Sequence, residues 1–179
     1  PVKHVCKVIA STSSAMAPED LCAGLDCANK IVVTHPFNPP HLGHLTAAAA
    51  VVSMLKLDKL LLIPASIPPH KALPQGSADA ADRLEMAALA CAELGPQAQA
   101  LDTELHRTGP SYTVDTLRQL RMEHPEDELW LLMGTDMFLS LERWYHASDI
   151  LSLAHIGAFD RAHPQPGEDL AAQKRLLET

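Results

Sequence analysis

Several features that would assign a protein to a special class are missing from this chain of 179 residues. Its four cysteines include no Cys-x-x-Cys pair, which argues against a structural zinc site and predicts reduced thiols. No apolar run approaches the roughly 18 residues that a membrane-spanning helix needs, and no signal-peptide pattern opens the chain. The formal net charge is −8 and no basic run offsets it, which argues against a general nucleic-acid surface. We therefore expect a cytoplasmic protein that binds neither nucleic acid nor membrane.

The composition that is present is that of a globular protein. Hydrophobic residues make up 47% of the chain and charged residues 20%, which are ordinary values. The length predicts one domain with a sizeable core. Cys91 falls on the apolar face of a predicted helix and is interpreted as a buried thiol. The chain begins at Pro1 rather than methionine, so we interpret it as processed or as a fragment.

Apolar runs of strand length alternate with segments of helical spacing. Strands are predicted at 5–10, 31–33, 60–63, 98–105, 129–133 and 155–159, and helices at 18–25, 42–55, 79–93, 113–123, 137–144, 147–151 and 168–178. Thr113 is expected to cap its helix. This alternation predicts a parallel sheet with helices on both faces.

Each loop with chemically interesting side chains follows the carboxyl end of a predicted strand. In such sheets ligands bind beyond those ends. The loops are 34–43, 65–71, 106–113 and 134–136. Their coincidence at one edge predicts a single site.

The stretch from Phe37 to His44 carries the sharpest chemical signal and reads Phe-Asn-Pro-Pro-His-Leu-Gly-His. Its prolines exclude helix from the turn, so His41 and His44 project from one face of the first turn of the following helix. A helix N-terminus attracts anions, and Gly43 allows a ligand to approach the backbone closely. This arrangement predicts phosphate chemistry. An ordinary helix start, or a metal pair joined by His70, is the alternative.

Further motifs follow in order along the chain. They are Ile67-Pro68-Pro69-His70-Lys71, Arg83-Leu84-Glu85-Met86, Ser111-Tyr112-Thr113-Val114-Asp115-Thr116-Leu117, Gly134-Thr135-Asp136 and Leu141-Glu142-Arg143-Trp144. With the first stretch, they resemble the bacterial nicotinate-nucleotide adenylyltransferases of the HxGH nucleotidylyltransferase superfamily. The resemblance implies an α/β, Rossmann-like, doubly wound parallel sheet. It also divides the chain into a domain spanning 30–179 and an N-terminal segment, 1–29, that does not match this family.

The resemblance implies in-line transfer of AMP from ATP to nicotinate mononucleotide. Pyrophosphate leaves and nicotinate adenine dinucleotide, a precursor of NAD, is formed without a covalent enzyme intermediate. The implied partners are these two small molecules, and a homo-oligomer is an open alternative. Mg²⁺ would enter with ATP rather than occupy a protein cage, so no metal-ligating residues are expected.

The resemblance also implies residue roles. His41 and His44 would be catalytic through contacts with the ATP phosphates, and His44 would stabilise charge at the transferred phosphorus. Further ATP and phosphate contacts would come from Phe37, Asn38, Gly43, Lys71, Gly134 and Asp136. The nicotinate mononucleotide site would be formed by Tyr112, Thr113 and Trp144, with the indole stacking on the pyridine ring.

Structural roles are the alternatives for several of these residues. Lys71 would then be a solvated loop lysine, Asp136 a helix cap and Trp144 a core residue. Arg107 is interpreted as a surface partner of Glu104, with phosphate binding as the alternative.

Two motifs of the family are absent. Thr34-His35-Pro36 stands where the family has Gly-Gly-Thr, so side chains would crowd the triphosphate and Pro36 lacks an N–H donor. The later Ile-Ser-x-Thr-x-x-Arg motif does not occur before Thr179, and we expect a C-terminally truncated domain. A catalytically impaired nucleotide-binding remnant or a chimera is therefore the alternative function.

Residues 1–40 resemble another family. The stretches 8–14, 18–21 and 34–40 are similar to part of a 3-hydroxyacyl-CoA dehydrogenase, whose His-Pro-Phe-Asn-Pro motif carries a catalytic histidine, His35 here. The two resemblances overlap at 37–41, which we interpret as a join. The Gly-rich dinucleotide fingerprint is missing, so a dehydrogenase-related activity is the weaker alternative.

Overall fold

The computed structural model describes residues 8–11, 30–34, 48–49, 58–69, 75–159 and 170–177. Within these ranges six strands form one sheet. They are β1 (Val8–Ser11), β2 (Lys30–Thr34), β3 (Lys59–Leu62), β4 (Ala98–Ala100), β5 (Glu128–Gly134) and β6 (His155–Phe159). Each predicted strand has a counterpart among these six, although the bounds differ, most of all for the strand predicted at 98–105.

The strand order is β1-β6-β5-β2-β3-β4, and every pairing is parallel. From β2 the chain proceeds outward through β3 to β4, and it then returns to place β5 on the other side of β2 before β6. This reversal creates a topological switch point between β2 and β5, which is where open α/β sheets bind ligands. The predicted doubly wound parallel sheet is confirmed.

Helices connect these strands across the faces of the sheet. They are α1 (Ala80–Leu94), α2 (Thr113–Glu123), α3 (Thr135–Phe138), α4 (Ala147–Leu153) and α5 (Leu170–Leu177), with a 3₁₀ turn at Leu141–Arg143. Ala48 and Ala49 are also helical, in agreement with the helix predicted at 42–55, the rest of which lies outside the described residues, as does the helix predicted at 18–25. None of the described helices has the length and apolar character needed to cross a membrane.

The central strand β5 shows why the sheet is covered on both faces. Leu129, Leu131 and Met133 alternate along it and belong to one buried cluster with side chains of α2. Trp130 and Leu132 lie on the opposite face and are buried as well. A continuous apolar run is typical of a parallel strand with both faces covered.

Two predicted boundaries are wrong. The strand predicted at 98–105 ends at Ala100, because the chain then forms a turn in which the amide of Leu105 donates to the carbonyl of Asp102 at 2.8 Å. Thr113 does not cap α2: the cap is Tyr112, and no side chain bonds there.

The region after β5 also differs from the prediction. Gly134 is the last strand residue and α3 begins directly at Thr135, so no turn separates them. The helix predicted at 137–144 is divided into α3 and the 3₁₀ turn. The two are separated where the amide of Ser140 bonds to the carbonyl of Met137.

Candidate active site

The candidate site lies at the carboxyl edge of the sheet, defined here as the edge at which β2, β3, β4 and β5 end. The predicted convergence of loops holds for the parts that the structure describes, since all strands are parallel. Tyr112, Thr113, Gly134, Asp136 and Trp144 are among the described residues. The predictions for Phe37, Asn38, His41, Gly43, His44 and Lys71 fall outside them.

Gly134 and Asp136 lie next to the topological switch point. Thr34 at the end of β2 pairs with Leu132 of β5, and β5 continues to Gly134, which is the N-cap of α3. Asp136 is exposed and lies in the first turn of that helix. The capping alternative for Asp136 is therefore wrong, and its carboxylate lies beyond the strand ends.

Trp144 is largely interior. It is 7% exposed and belongs to the main core cluster. Its indole N–H donates to Ser140 Oγ at 3.2 Å, and that hydroxyl donates to the carbonyl of Met137 in α3 at 3.0 Å. The core role is therefore present, and the same bonds tie Trp144 to the helix that carries Asp136.

An accessible aromatic surface is formed instead by Tyr112 and Tyr145. Their ring centroids are 4.4 Å apart, within the range of favourable aromatic pairs, and Tyr145 is 50% exposed. Tyr145 also contacts the ring of His146 at 4.3 Å, edge to face. His146 has φ of +53°, a left-handed conformation that histidine adopts more readily than most residues. The sequence reasoning missed Tyr145, because no local pattern reveals its contact with a distant tyrosine.

Ser111 and Arg83 hold the loop that follows β3. Ser111 Oγ accepts from the amides of Ser66 at 2.9 Å and Ile67 at 3.4 Å, and the Ser111 amide donates to the carbonyl of Ile67 at 2.8 Å. Arg83 donates to the carbonyls of Ala65 at 2.6 Å and Ser66 at 3.2 Å. Sequence reasoning noted both residues within motifs but gave neither a role.

The loop that follows β4 is attached to α2 by side chains. Thr116 Oγ1 donates to Glu104 Oε1 at 2.5 Å and accepts from Arg107 at 2.7 Å, and Arg107 also donates to Gln119 Oε1 at 2.6 Å. The predicted surface position of Glu104 is wrong, because this carboxylate is fully buried. The guanidinium groups of Arg83 and Arg107 both donate to groups that hold loops of this edge in place.

Arg118 connects the two helices beside the aromatic surface. It pairs with Asp115 of α2 at 3.2 Å and with Asp149 of α4 at 2.5 Å. All three side chains are more than two-fifths exposed, so each pair contributes no more than about 1 kcal/mol. In the described ranges, no group of three or more His, Cys, Asp or Glu residues could hold a metal ion.

Two side chains have shifted pKa values. A hydrogen bond from His106 at 2.8 Å lowers the pKa of Asp102 in the loop after β4. Burial raises the pKa of the Cys91 thiol from 9.0 to about 11, and this free cysteine is buried as predicted. Neither residue lies among the predicted substrate contacts.

Two protein families match different parts of the chain. The family described as cytidylyltransferase-like matches residues 36–175. The NAD-binding domain of 3-hydroxyacyl-CoA dehydrogenase matches residues 2–48. The second match confirms the resemblance inferred for the first part of the chain, and the two overlap between 36 and 48.

Individual relatives share the first of these similarities. A protein of Shewanella baltica (strain OS223), named a probable nicotinate-nucleotide adenylyltransferase, is 44% identical over 135 residues, which are 72% of this chain and 61% of the relative. A protein of the same name from Shewanella sp. (strain ANA-3) is 42% identical over 149 residues, covering 79% of this chain and 68% of the relative. The chain thus spans about three-fifths of the first relative's length.

A solved structure shares the fold. The Plasmodium falciparum nicotinic acid mononucleotide adenylyltransferase complexed with APC superposes with a TM-score of 0.65, covering 82% of this chain and 71% of that chain. At 13% sequence identity, this likeness supports the architecture alone.

Proposed function

The chain belongs to the nicotinate-nucleotide adenylyltransferases of the cytidylyltransferase-like family, and on this premise we propose that it transfers the adenylyl group of ATP to nicotinate mononucleotide. The products are nicotinate adenine dinucleotide and pyrophosphate, so the reaction belongs to NAD biosynthesis. The observation that carries the proposal is the 44% identity over 135 residues to the Shewanella baltica relative. A cytoplasmic location is part of the proposal.

The described half of the site suits the acceptor nucleotide. Tyr112 and Tyr145 offer an accessible aromatic surface on which a pyridine ring could stack. Thr113 begins α2 beside this surface. Trp144 belongs to the core cluster against which Tyr112 packs. Because little of its indole is exposed, we propose that Trp144 contacts the pyridine ring less than the two tyrosines do.

The ATP side of the site is assigned to residues nearer the switch point. Gly134 is the last residue of β5 and Asp136 lies just beyond it, and both are proposed to bind the adenosine portion. His41, His44 and Lys71 are proposed to bind the phosphates, with Phe37, Asn38 and Gly43 completing the turn. Because no covalent intermediate is needed, these groups would act by positioning the substrates and stabilising developing charge.

Magnesium is proposed to enter as the MgATP complex. Mg²⁺ usually keeps several waters and binds through substrate phosphates with one or two carboxylates. When bound, the ion would neutralise charge on the pyrophosphate that leaves.

The proposal is tested by measuring pyrophosphate release with ATP, Mg²⁺ and nicotinate mononucleotide. We expect turnover that His44→Ala lowers by at least about a hundredfold, because loss of one preorganised charge-stabilising group typically costs 10²–10³ in kcat. The exposed His106→Ala, which lies in a loop at the same edge, is the matched control and should retain turnover. Equal activity of both variants would contradict the proposed role of His44, and no turnover by the unmodified chain would contradict the proposed function.

A second candidate is a nucleotide-binding protein without turnover. It is favoured by the dehydrogenase match across residues 2–48, which includes the Thr34-His35-Pro36 segment. ATP binding by calorimetry together with no pyrophosphate release would support it. Consumption of NADH with acetoacetyl-CoA would instead support a dehydrogenase-related activity, and we expect none.

A further inference from the structure

Two loops that the proposed function assigns to different substrates are bonded to each other. The loop after β3 includes residues 65–67 and leads in sequence to Lys71, which is assigned to phosphate. The loop after β4 ends in Ser111, which directly precedes Tyr112 and Thr113, assigned to the nicotinate nucleotide. Three hydrogen bonds between Ser111 and residues 66–67 join the two loops.

Ser111 is suited to hold this junction rigidly. It is 4% exposed, so water competes little for its bonds and an unmatched amide there would be costly. Its side-chain oxygen accepts from the amide of Ser66, and its own amide donates to the carbonyl of Ile67. These bonds hold the backbone of residues 66–67 at a set distance from the residue that precedes Tyr112.

Arg83 holds the same backbone from another direction. Its guanidinium reaches from α1 to the carbonyls of Ala65 and Ser66 and to that of Ala78 at 2.7 Å. The residue is 3% exposed. The amide of Ser66 is thus bonded to Ser111 and its carbonyl to Arg83, so loss of Ser111 frees only the side that faces the nicotinate loop.

We propose that Ser111 is a positioning residue for adenylyl transfer, which holds residues 65–67, the part of the loop that leads in sequence to Lys71, in register with Tyr112 and Thr113. The inference rests on the proposed function. In-line transfer requires the attacking phosphate oxygen of the acceptor to lie about 3–3.5 Å from the α-phosphorus of ATP, opposite the bond that breaks. A fixed spacing between the two loops supplies that alignment, whereas each loop alone contributes to binding its own substrate.

The test separates turnover from binding in Ser111→Ala. We expect kcat to fall at least about tenfold, because misplacement of the reactants by 1 Å can cost a hundredfold. The dissociation constants of ATP and of nicotinate mononucleotide, each measured alone by calorimetry, should change by less than about threefold. Ser111→Thr keeps the acceptor oxygen and should restore kcat to within about threefold of the original.

A control excludes a general loss of stability. Ile156→Val removes one buried methylene from β6, where the side chain is fully buried and distant in topology from both loops. This change typically costs about 1 kcal/mol of stability, which matches loss of a hydrogen-bonding hydroxyl, yet kcat should be unchanged. An equal fall in kcat for both variants would overturn the positioning role.

Amide exchange gives a readout that does not depend on turnover. In the unmodified protein the amides of Ser66 and Ile67 should exchange slowly, and in Ser111→Ala they should exchange at least about tenfold faster, while amides of α1 do not change. Unchanged exchange, or unchanged kcat in an active protein, overturns the inference alone. An unmodified protein that binds neither substrate or releases no pyrophosphate overturns the proposed function, and the inference with it.

Discussion

Arg83 and Arg121 perform similar work at opposite edges of the sheet. Arg83, near the start of α1, donates to carbonyls of the loop after β3 and of the segment before α1. Arg121, near the end of α2, donates to carbonyls in the turn before β5 and at the end of α4. Its acceptors are His124 at 3.3 Å, Pro125 at 3.2 Å, Asp127 at 2.7 Å and Leu153 at 3.0 Å.

The comparison separates stability from function. A guanidinium has five donors in a fixed fork and cannot lose its charge in a protein, so it suits a place where several backbone carbonyls converge. The chemistry is the same at both edges. Only the carboxyl edge, however, carries the substrate residues that we propose, whereas the turns held by Arg121 lead into strands at their amino ends. Loss of Arg83 should therefore affect turnover, and loss of Arg121 should not.

The largest effect is expected for Arg83→Met. Removal of the guanidinium leaves buried carbonyls without their donor, so the free energy of unfolding should fall by about 3 kcal/mol. Turnover should fall at least about tenfold through misplacement of the loop. Urea unfolding and pyrophosphate release, both at a temperature where the variant is folded, provide the measurements.

Arg121→Met is the matched control for this change. Arg121 is half-buried, so water can replace part of its bonding, and a loss of about 1–2 kcal/mol is expected. Its turnover should stay within about twofold of the original. If turnover falls equally in both variants, the distinction between the two edges is unfounded.

The sequence predicted the parallel sheet and its carboxyl edge, but not the arginine side chains that hold the loops. The alternation of apolar runs such as Leu129–Met133 with helical segments is enough to predict a parallel sheet, because each strand must be covered on both faces. The convergence of loops at one edge then follows from topology. Arg83 could not be assigned a role, because nothing local shows that the carbonyls of a distant loop lie within its reach.

Errors in the sequence reasoning have the same origin. Glu104 was expected at the surface because an isolated carboxylate is rarely buried, but Thr116 and Arg107 form a network around it that only the folded chain brings together. Tyr145 was missed because it lies far from Tyr112 in sequence, between the 3₁₀ turn and α4, and only the folded chain brings the two rings together. The family resemblance supplied Tyr112, Thr113, Gly134 and Asp136, and their places at one edge agree with a shared site.

Thr116→Val tests whether the second loop of the carboxyl edge depends on its buried network. Valine has nearly the same shape but removes the donor to Glu104 and the acceptor for Arg107. Because the replaced hydroxyl is fully buried, we expect the free energy of unfolding to fall by about 2 kcal/mol. Thr116→Ser keeps the hydroxyl and should lose less than about 1 kcal/mol. Valine and serine variants of equal stability in urea would show that the network contributes little.

The smallest effect concerns Cys91, near the end of α1 at the amino edge. Its pKa is raised by burial from 9.0 to about 11, so at pH 8 and below the thiol is neutral in both folded and unfolded chains and adds almost no pH dependence. As the pH rises through 9, the unfolded chain releases this proton first, and folding loses about 1.4 kcal/mol by pH 10. We therefore expect the difference in unfolding free energy between the original protein and Cys91→Ala to be constant from pH 7 to 8.5 and then to decline. A difference that stays constant to pH 10 would show that burial does not raise the pKa of the thiol. Turnover of Cys91→Ala at pH 8 should be unchanged, which would show that this end of α1, like Arg121 and unlike Arg83, affects stability without affecting turnover.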